Sequence, residues 1–407
     1  MPLSRRDAVK TLGAAGLLAA SGRRLLAGEA ALDGFVGTFT YPKGEQLPPE
    51  FGAHNDVSHG LYRFRFDPAT GKAGPIQLAA EIESPAHLIV HSNRRVLYAC
   101  QGQRARVDNQ NIISAFAIEP DRLRPLNQVP CGGDGPSVGV VDRSGRNLLT
   151  SNWSSNSVVC IRLHPDGSLG ERSALIGNPP GTRVPPPRPG DSRPATPTPA
   201  GLVRSKPHSV ILSPSERYAI VAEIALNRCA VYRFDADTGS LQAHGFGQAH
   251  ADSGPRHLAR HPNGRFIYSA DEEGSSVTAW RWDERSGAIE AIQQAPTVDP
   301  DQREGNMAAD IVVHPSGDFV YASNRGSGYL AGFRIDPHSG KLQPLPRTKL
   351  SSSACWSLDA DPSGRWLLTS TLSGDDVSIY QVDARTGALR DTGQRLPVVT
   401  PTCLRLA

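Results

Sequence analysis

Short runs of aliphatic, β-branched and aromatic residues, punctuated by Gly, Pro, Asn and Asp, dominate this chain from Phe35 to its end. The clearest stretch is Pro255 to Gly287. A run starting at Arg256 leads into the turn His261-Pro262-Asn263-Gly264, and a second run covers Arg265 to Ala270. The acidic corner Asp271-Glu272-Glu273-Gly274 follows, then a third run from Val277 to Trp282, closed by a turn at Asp283 to Gly287. Runs of this kind between turn formers predict strands joined by hairpins, and no segment leaves room for a long helix.

The unit recurs. Aligned on its tight turn, the copies are HSNRR from residue 91, DRSGR from 142, SPSER from 213, HPNGR from 261, HPSGD from 314 and DPSGR from 361. Subtraction gives spacings of 51, 71, 48, 53 and 47 residues, the signature of a repeat architecture. A further copy is divided between the chain ends. FVGTFT and GLYRFRFDPATG supply a second and a third strand near the N-terminus, and PTCLRLA at the C-terminus matches a first strand. Joining them closes a ring. The expected fold is all-β: a seven-bladed β-propeller of four-stranded blades, closed by the N- and C-terminal strands.

Residues 1–30 are read as a twin-arginine leader, with Ser4-Arg5-Arg6-Asp7 preceding the apolar TLGAAGLLAA. Export through the twin-arginine translocase to the periplasm or beyond is expected, and the apolar run is too short for a permanent membrane span. The propeller then occupies 31–407. The formal charge of +3 resides in the leader, where five Arg/Lys face two Asp/Glu, so the remainder is near neutral. No basic stripe for nucleic acid is left. The six cysteines have no metal- or haem-binding spacing, and Cys100, Cys160 and Cys229 fall on expected strands as small buried hydrophobes rather than disulfide partners.

A Pro-rich insertion at 178–206 accounts for the spacing of 71 and is expected to cross between blades as an extended loop, with a flap over the channel mouth as its functional reading. His54, Asp56 and His59 cluster in a second excursion, Thr40 to Gly60, better read as a polar loop than as a metal site. His87, His208, His257 and Asp310 would be the residues to converge on a metal, but no local ligand motif is present. Neither metal nor cofactor is expected.

In a propeller the start of each first strand and the end of each second strand meet at one rim. In register, blades three to five place His208, Glu223, Arg256, His257, Asp271, Glu272, Asp310, Asn324 and Arg325 there. Charges of both signs gathered in one sector suit a pocket for an anion, since arginine offers a planar fork to carboxylate or phosphate and a nearby carboxylate or imidazole can move a proton. The alternative is an ion-pair lattice between blades, the better reading for Asp271 and Asp310 taken singly.

The segments PHSVILSPSERYAIVAE, GPRHLARHPNGRFIYSADE and AADIVVHPSGDFVYASNRG, with the closing short strand, resemble the lactonase family of seven-bladed propellers, over Phe35 to Ala407. That family includes 6-phosphogluconolactonases and carboxy-muconate lactonising enzymes. The resemblance implies a catalytic set of His208, Arg256, Glu272 and Arg325; their neighbours in register, His257, Glu223, Asp310 and Asn324, are read as substrate-binding. It also implies hydrolysis or formation of a small anionic lactone without a covalent nucleophile, there being no G-x-S-x-G sequence. One departure is Asp271 where the family's glutamate motif has Asn. A non-catalytic propeller that binds a ligand or protein at the same rim is the competing function class.

Overall fold

A computed structural model of the chain describes residues 31–41, 56–101, 111–177 and 204–407. The leader, His54 and most of the Pro-rich insertion lie outside the described residues. Those described form seven blades. Blade 4 shows the pattern: Pro255–Arg260, Phe266–Asp271, Ser276–Asp283 and Ala288–Pro296 pair in order, each antiparallel to the next. Blades 1, 2, 3, 5 and 6 repeat it over 85–130, 136–177, 207–248, 307–349 and 355–397. Blade 7 is built from both ends, as expected: Pro401–Leu406 is innermost and pairs with Leu32–Thr38, which pairs with Gly60–Asp67. The outer strands of blades 5 and 7 are each broken into two short pieces.

The apolar runs are near-continuous, without strict alternation, because every blade is covered on both faces. Successive residues of one strand feed opposite interfaces. Phe266 and Tyr268 enter the core between blades 4 and 5, and Ile267 between them enters the core between blades 3 and 4. Seven apolar clusters fill the seven interfaces in this way. Polar latches fix the packing. The turn histidines His91, His261 and His314 present Nε2 to the carbonyls of Gly145, Gly317 and Gly364 in the next blade, at 3.2, 2.8 and 2.6 Å. Those glycines are required twice over. Each has positive φ, and a Cβ there would come within 2.5–2.8 Å of the histidine ring. Tyr98, Tyr268 and Tyr321 donate their hydroxyls to Gly167, Gly340 and Gly387 across the same interfaces.

Around the channel the innermost strands splay, and side chains bridge them. Leu258 N–H donates to Ser209 Oγ, Leu358 N–H to Asp310 Oδ2, Leu404 N–H to Ser357 Oγ and Leu88 N–H to Cys403 Sγ, each across one blade boundary. Between blades 2 and 3 the corresponding residue is Val138, which cannot accept, and there the strands pair directly through Val138 and Ser209. All six cysteines are buried free thiols.

Candidate functional site

The rim side chains are aimed by one recurring irregularity. The innermost strand shifts register against its neighbour between Pro207 and Ser209, between Pro255 and His257 and between Cys355 and Ser357. The extra residues are His208, Arg256 and Trp356. A bulge leaves its extra residue unpaired and re-aims its side chain. The leading Pro207 and Pro255, which lack an N–H, suit this start. Glu272 follows the second strand of blade 4, its N–H donating to Gly254 O at 2.9 Å. Arg325 ends the second strand of blade 5.

Glu272 Oε2 receives both guanidiniums. Arg325 Nη2 donates to it at 2.8 Å, and Arg256 Nε lies 2.9 Å away, an ion pair without hydrogen-bond alignment. Both arginines stack on Trp356, with Cζ 4.9 Å (Arg325) and 5.7 Å (Arg256) from its ring centroid. Arg256 Nη1 also donates to Ala309 O at 2.7 Å and to His257 Nε2 at 3.0 Å. His257 Nδ1 meets Asp310 Oδ1 at 2.7 Å. Behind them the rings of His208 and His257 lie 5.0 Å apart, His208 and His87 5.6 Å, and Ser137 Oγ bridges His208 Nδ1 and His87 Nε2 at 2.9 and 3.3 Å. Glu272 is the most open member, its side chain 22% exposed against 11% for Arg325 and 2% for Arg256.

Burial and the nearby cations keep His208 and His87 well below the ordinary imidazole range, so both are neutral at physiological pH. Burial pushes His257 down to about 4, with Arg256 adding to the effect against the pull of Asp310. Arg256 is lowered by burial, then by Arg325, to about 10 and keeps its charge. Burial alone would raise Glu272, but Arg325 and Arg256 together hold it below its usual value, with Lys206 contributing.

Six of the eight residues read from sequence therefore meet in one network: His208, Arg256, His257, Glu272, Asp310 and Arg325. Two are engaged elsewhere. Glu223 is paired with Arg228 at 2.5 Å, and the Asn324 amide is taken up by Thr297, Asn306 and the Tyr329 carbonyl. Asp271 is fully buried and accepts the hydroxyls of Ser269, Ser276 and Thr278. Side chains left unassigned by the sequence reading also stand at the site. They are Trp356 and Ser137, joined by His87, which the sequence offered only as a metal ligand. Lys206 is another, its Nζ 5.5 Å from the Trp153 ring centroid. Among the described residues no group of three or more His, Cys, Asp or Glu is arranged to hold a metal ion.

The profile of the lactonase, 7-bladed beta-propeller family matches residues 34–406. The chain belongs to this lactonase family. The 6-phosphogluconolactonase of Bacillus subtilis (strain 168) is 25% identical over 381 residues, covering 91% of this chain and 97% of that protein. The 6-phosphogluconolactonase of Formosa agariphila is 24% identical over 387 residues, covering 91% and 98%. The solved structure of the Pseudomonas aeruginosa periplasmic gluconolactonase superimposes with a TM-score of 0.77 at 24% identity, covering 93% of this chain and 99% of that one. That likeness extends the lactonase propeller fold to the whole described ring.

Proposed function

We propose that this protein is an exported lactonase that opens a small sugar-acid lactone at the Glu272 rim, with water as the nucleophile and no covalent intermediate. One observation carries the reading. Glu272 Oε2 is taken by both guanidiniums, whereas Oε1 has no partner among the described residues, on the most exposed side chain of the cluster. Oε1 orients and deprotonates a water, whose oxygen attacks the lactone carbonyl carbon. The carbonyl oxygen, gaining charge, is held by Arg325 and the free Nη2 edge of Arg256. The ring C–O bond then breaks, and the leaving alkoxide takes a proton through Glu272 or His208, giving the hydroxy acid. Ser137 touches His208 but is fully buried and so does not act as a nucleophile.

Arg256, Arg325 and Lys206 outnumber Glu272, favouring a lactone that carries or develops negative charge. The twin-arginine leader favours substrates outside the cytoplasm over a cytosolic sugar phosphate. The test is a proton-release assay of the mature protein on glucono-1,5-lactone, a uronic-acid lactone and 6-phosphoglucono-1,5-lactone, expecting ring opening of at least one. If none opens while the protein binds sugar acids, the non-catalytic reading replaces this one. Changing Arg5 and Arg6 together to Lys is expected to retain the precursor in the cytoplasm. Unchanged export would remove the argument about compartment.

A further inference from the structure

Arg256 and His257 are neighbours in sequence, and on a regular strand their side chains would point to opposite faces. The bulge at Arg256 cancels that alternation and brings Arg256 Nη1 to within 3.0 Å of His257 Nε2. The direction of this hydrogen bond is not open to choice. A guanidinium only donates, so His257 Nε2 is a bare lone pair and the ring hydrogen sits on Nδ1. Nδ1 faces Asp310 Oδ1 at 2.7 Å, which accepts it.

Asp310 itself is immobilised. Oδ1 also accepts the Ile311 N–H at 2.9 Å, and Oδ2 accepts Ser357 Oγ–H and Leu358 N–H, both at 2.9 Å. With four donors on two oxygens, the carboxylate has no acceptor position left for a ligand. The other groups facing His257 are Arg405, whose Nη1 lies 4.0 Å from Asp310 Oδ2, and the neutral rings of His87 and His208, at 6.2 and 5.0 Å.

We propose that Asp310 and His257 are positioning residues: by fixing the Nδ1–H tautomer of His257 they anchor Arg256 Nη1, which sets Arg256 Nε against Glu272 and leaves Nη2 to the ligand. Ser357 and the Leu358 backbone, on blade 6, extend the same chain of contacts. The order from blade 6 to the mouth is Leu358 and Ser357, Asp310, His257, Arg256, Glu272. The consequence for turnover rests on the lactonase reading above, whereas the hydrogen-bond chain does not.

The decisive variant is Asp310→Asn. Its carboxamide presents N–H to His257 Nδ1, driving the ring hydrogen to Nε2, where it meets Arg256 Nη1 donor to donor. Nitrogen-15 NMR of the mature protein is expected to show His257 protonated at Nδ1 in the wild type and at Nε2 in Asp310→Asn. Carbon-13 titration is expected to show the Glu272 pKa rising in the variant as Arg256 turns away. His257→Gln keeps an acceptor for Arg256 and is expected to leave that titration near the wild type. On whichever lactone the wild type opens, Asp310→Asn should lower kcat/KM by roughly 10–100-fold. In the His257→Gln background, where no tautomer exists to be set, the same change should cost less than about 3-fold, a non-additivity that general loosening of the fold would not produce. An Nε2–H tautomer in the wild type, or an unchanged Glu272 titration in Asp310→Asn, overturns the proposal whatever happens to turnover. If no lactone is opened, the two NMR measurements still decide it.

Discussion

At the scale of single residues, the rim holds two adjacent carboxylates, one part-exposed and one fully buried, with opposite pH behaviour. Glu272 is held low by two guanidiniums after overcoming burial. Glu272→Gln keeps its shape but loses the proton acceptor, and kcat is expected to fall by roughly 10²–10⁴ with the melting temperature little changed. Arg256→Met should lower kcat/KM, by about 2 kcal/mol or more in transition-state binding. If the cluster only braces the blades, both variants will instead melt earlier and turn over normally. Asp271 is the opposite case. Burial, partly offset by three hydroxyl donors, raises it to about 7. Its folded pKa lies above its unfolded one, so its contribution to stability is complete below about pH 4 and is lost as pH rises through 7. Asp271→Asn should therefore gain stability relative to the wild type on moving from pH 4 to pH 8, by on the order of 3 kcal/mol. Denaturant melts at the two pH values measure it, and an equal offset at both would show that Asp271 does not titrate in this range.

At the scale of elements, what was readable and what was not follow from strand geometry. The blades were legible because two covered faces demand continuous apolar runs, and because the turn glycines facing His91, His261 and His314 tolerate no Cβ. Counting from those turns located His208, Arg256, Glu272 and Arg325 at one rim. Register gives the height of a residue along a strand, however, and not its partners. Glu223 and Asn324 stand at that height, yet Arg228 in one case and Thr297 and Asn306 in the other occupy them. The bulge was also hidden, since one unpaired residue leaves no trace in composition, and with it the alignment of Arg256 with His257. Lys206 reaches the site from the crossing between blades 2 and 3, which no periodicity describes. The latches yield their own expectation. Tyr268→Phe deletes the donor to Gly340 O at 3.0 Å and leaves a buried carbonyl unpaired, so unfolding by urea should show a loss of about 1 kcal/mol. No loss would mean that packing alone sets the angle between blades 4 and 5.

At the scale of the whole molecule, Pro401–Leu406 holds the ring shut. It pairs with Leu32–Thr38, exchanges backbone hydrogen bonds between Asp33 and Ala407 at 3.2 and 2.8 Å, and is tied to blade 6 through Ser357 and Asp359. A chain cut after Val399 loses that innermost strand and exposes the cores on either side, those of blade 7 with blade 6 and with blade 1. Its melting transition is expected far below that of the intact protein. A truncated chain that melts normally would mean that six blades close by themselves. The same arrangement bears on how the protein is made. Leu32–Thr38 is synthesised before all six of the other blades and Pro401–Leu406 after them, so blade 7 cannot assemble until those six have been made. Ring closure is therefore the strand pairing of greatest sequence separation in the fold, and the contact expected to form last, since the longest loop must be closed to make it.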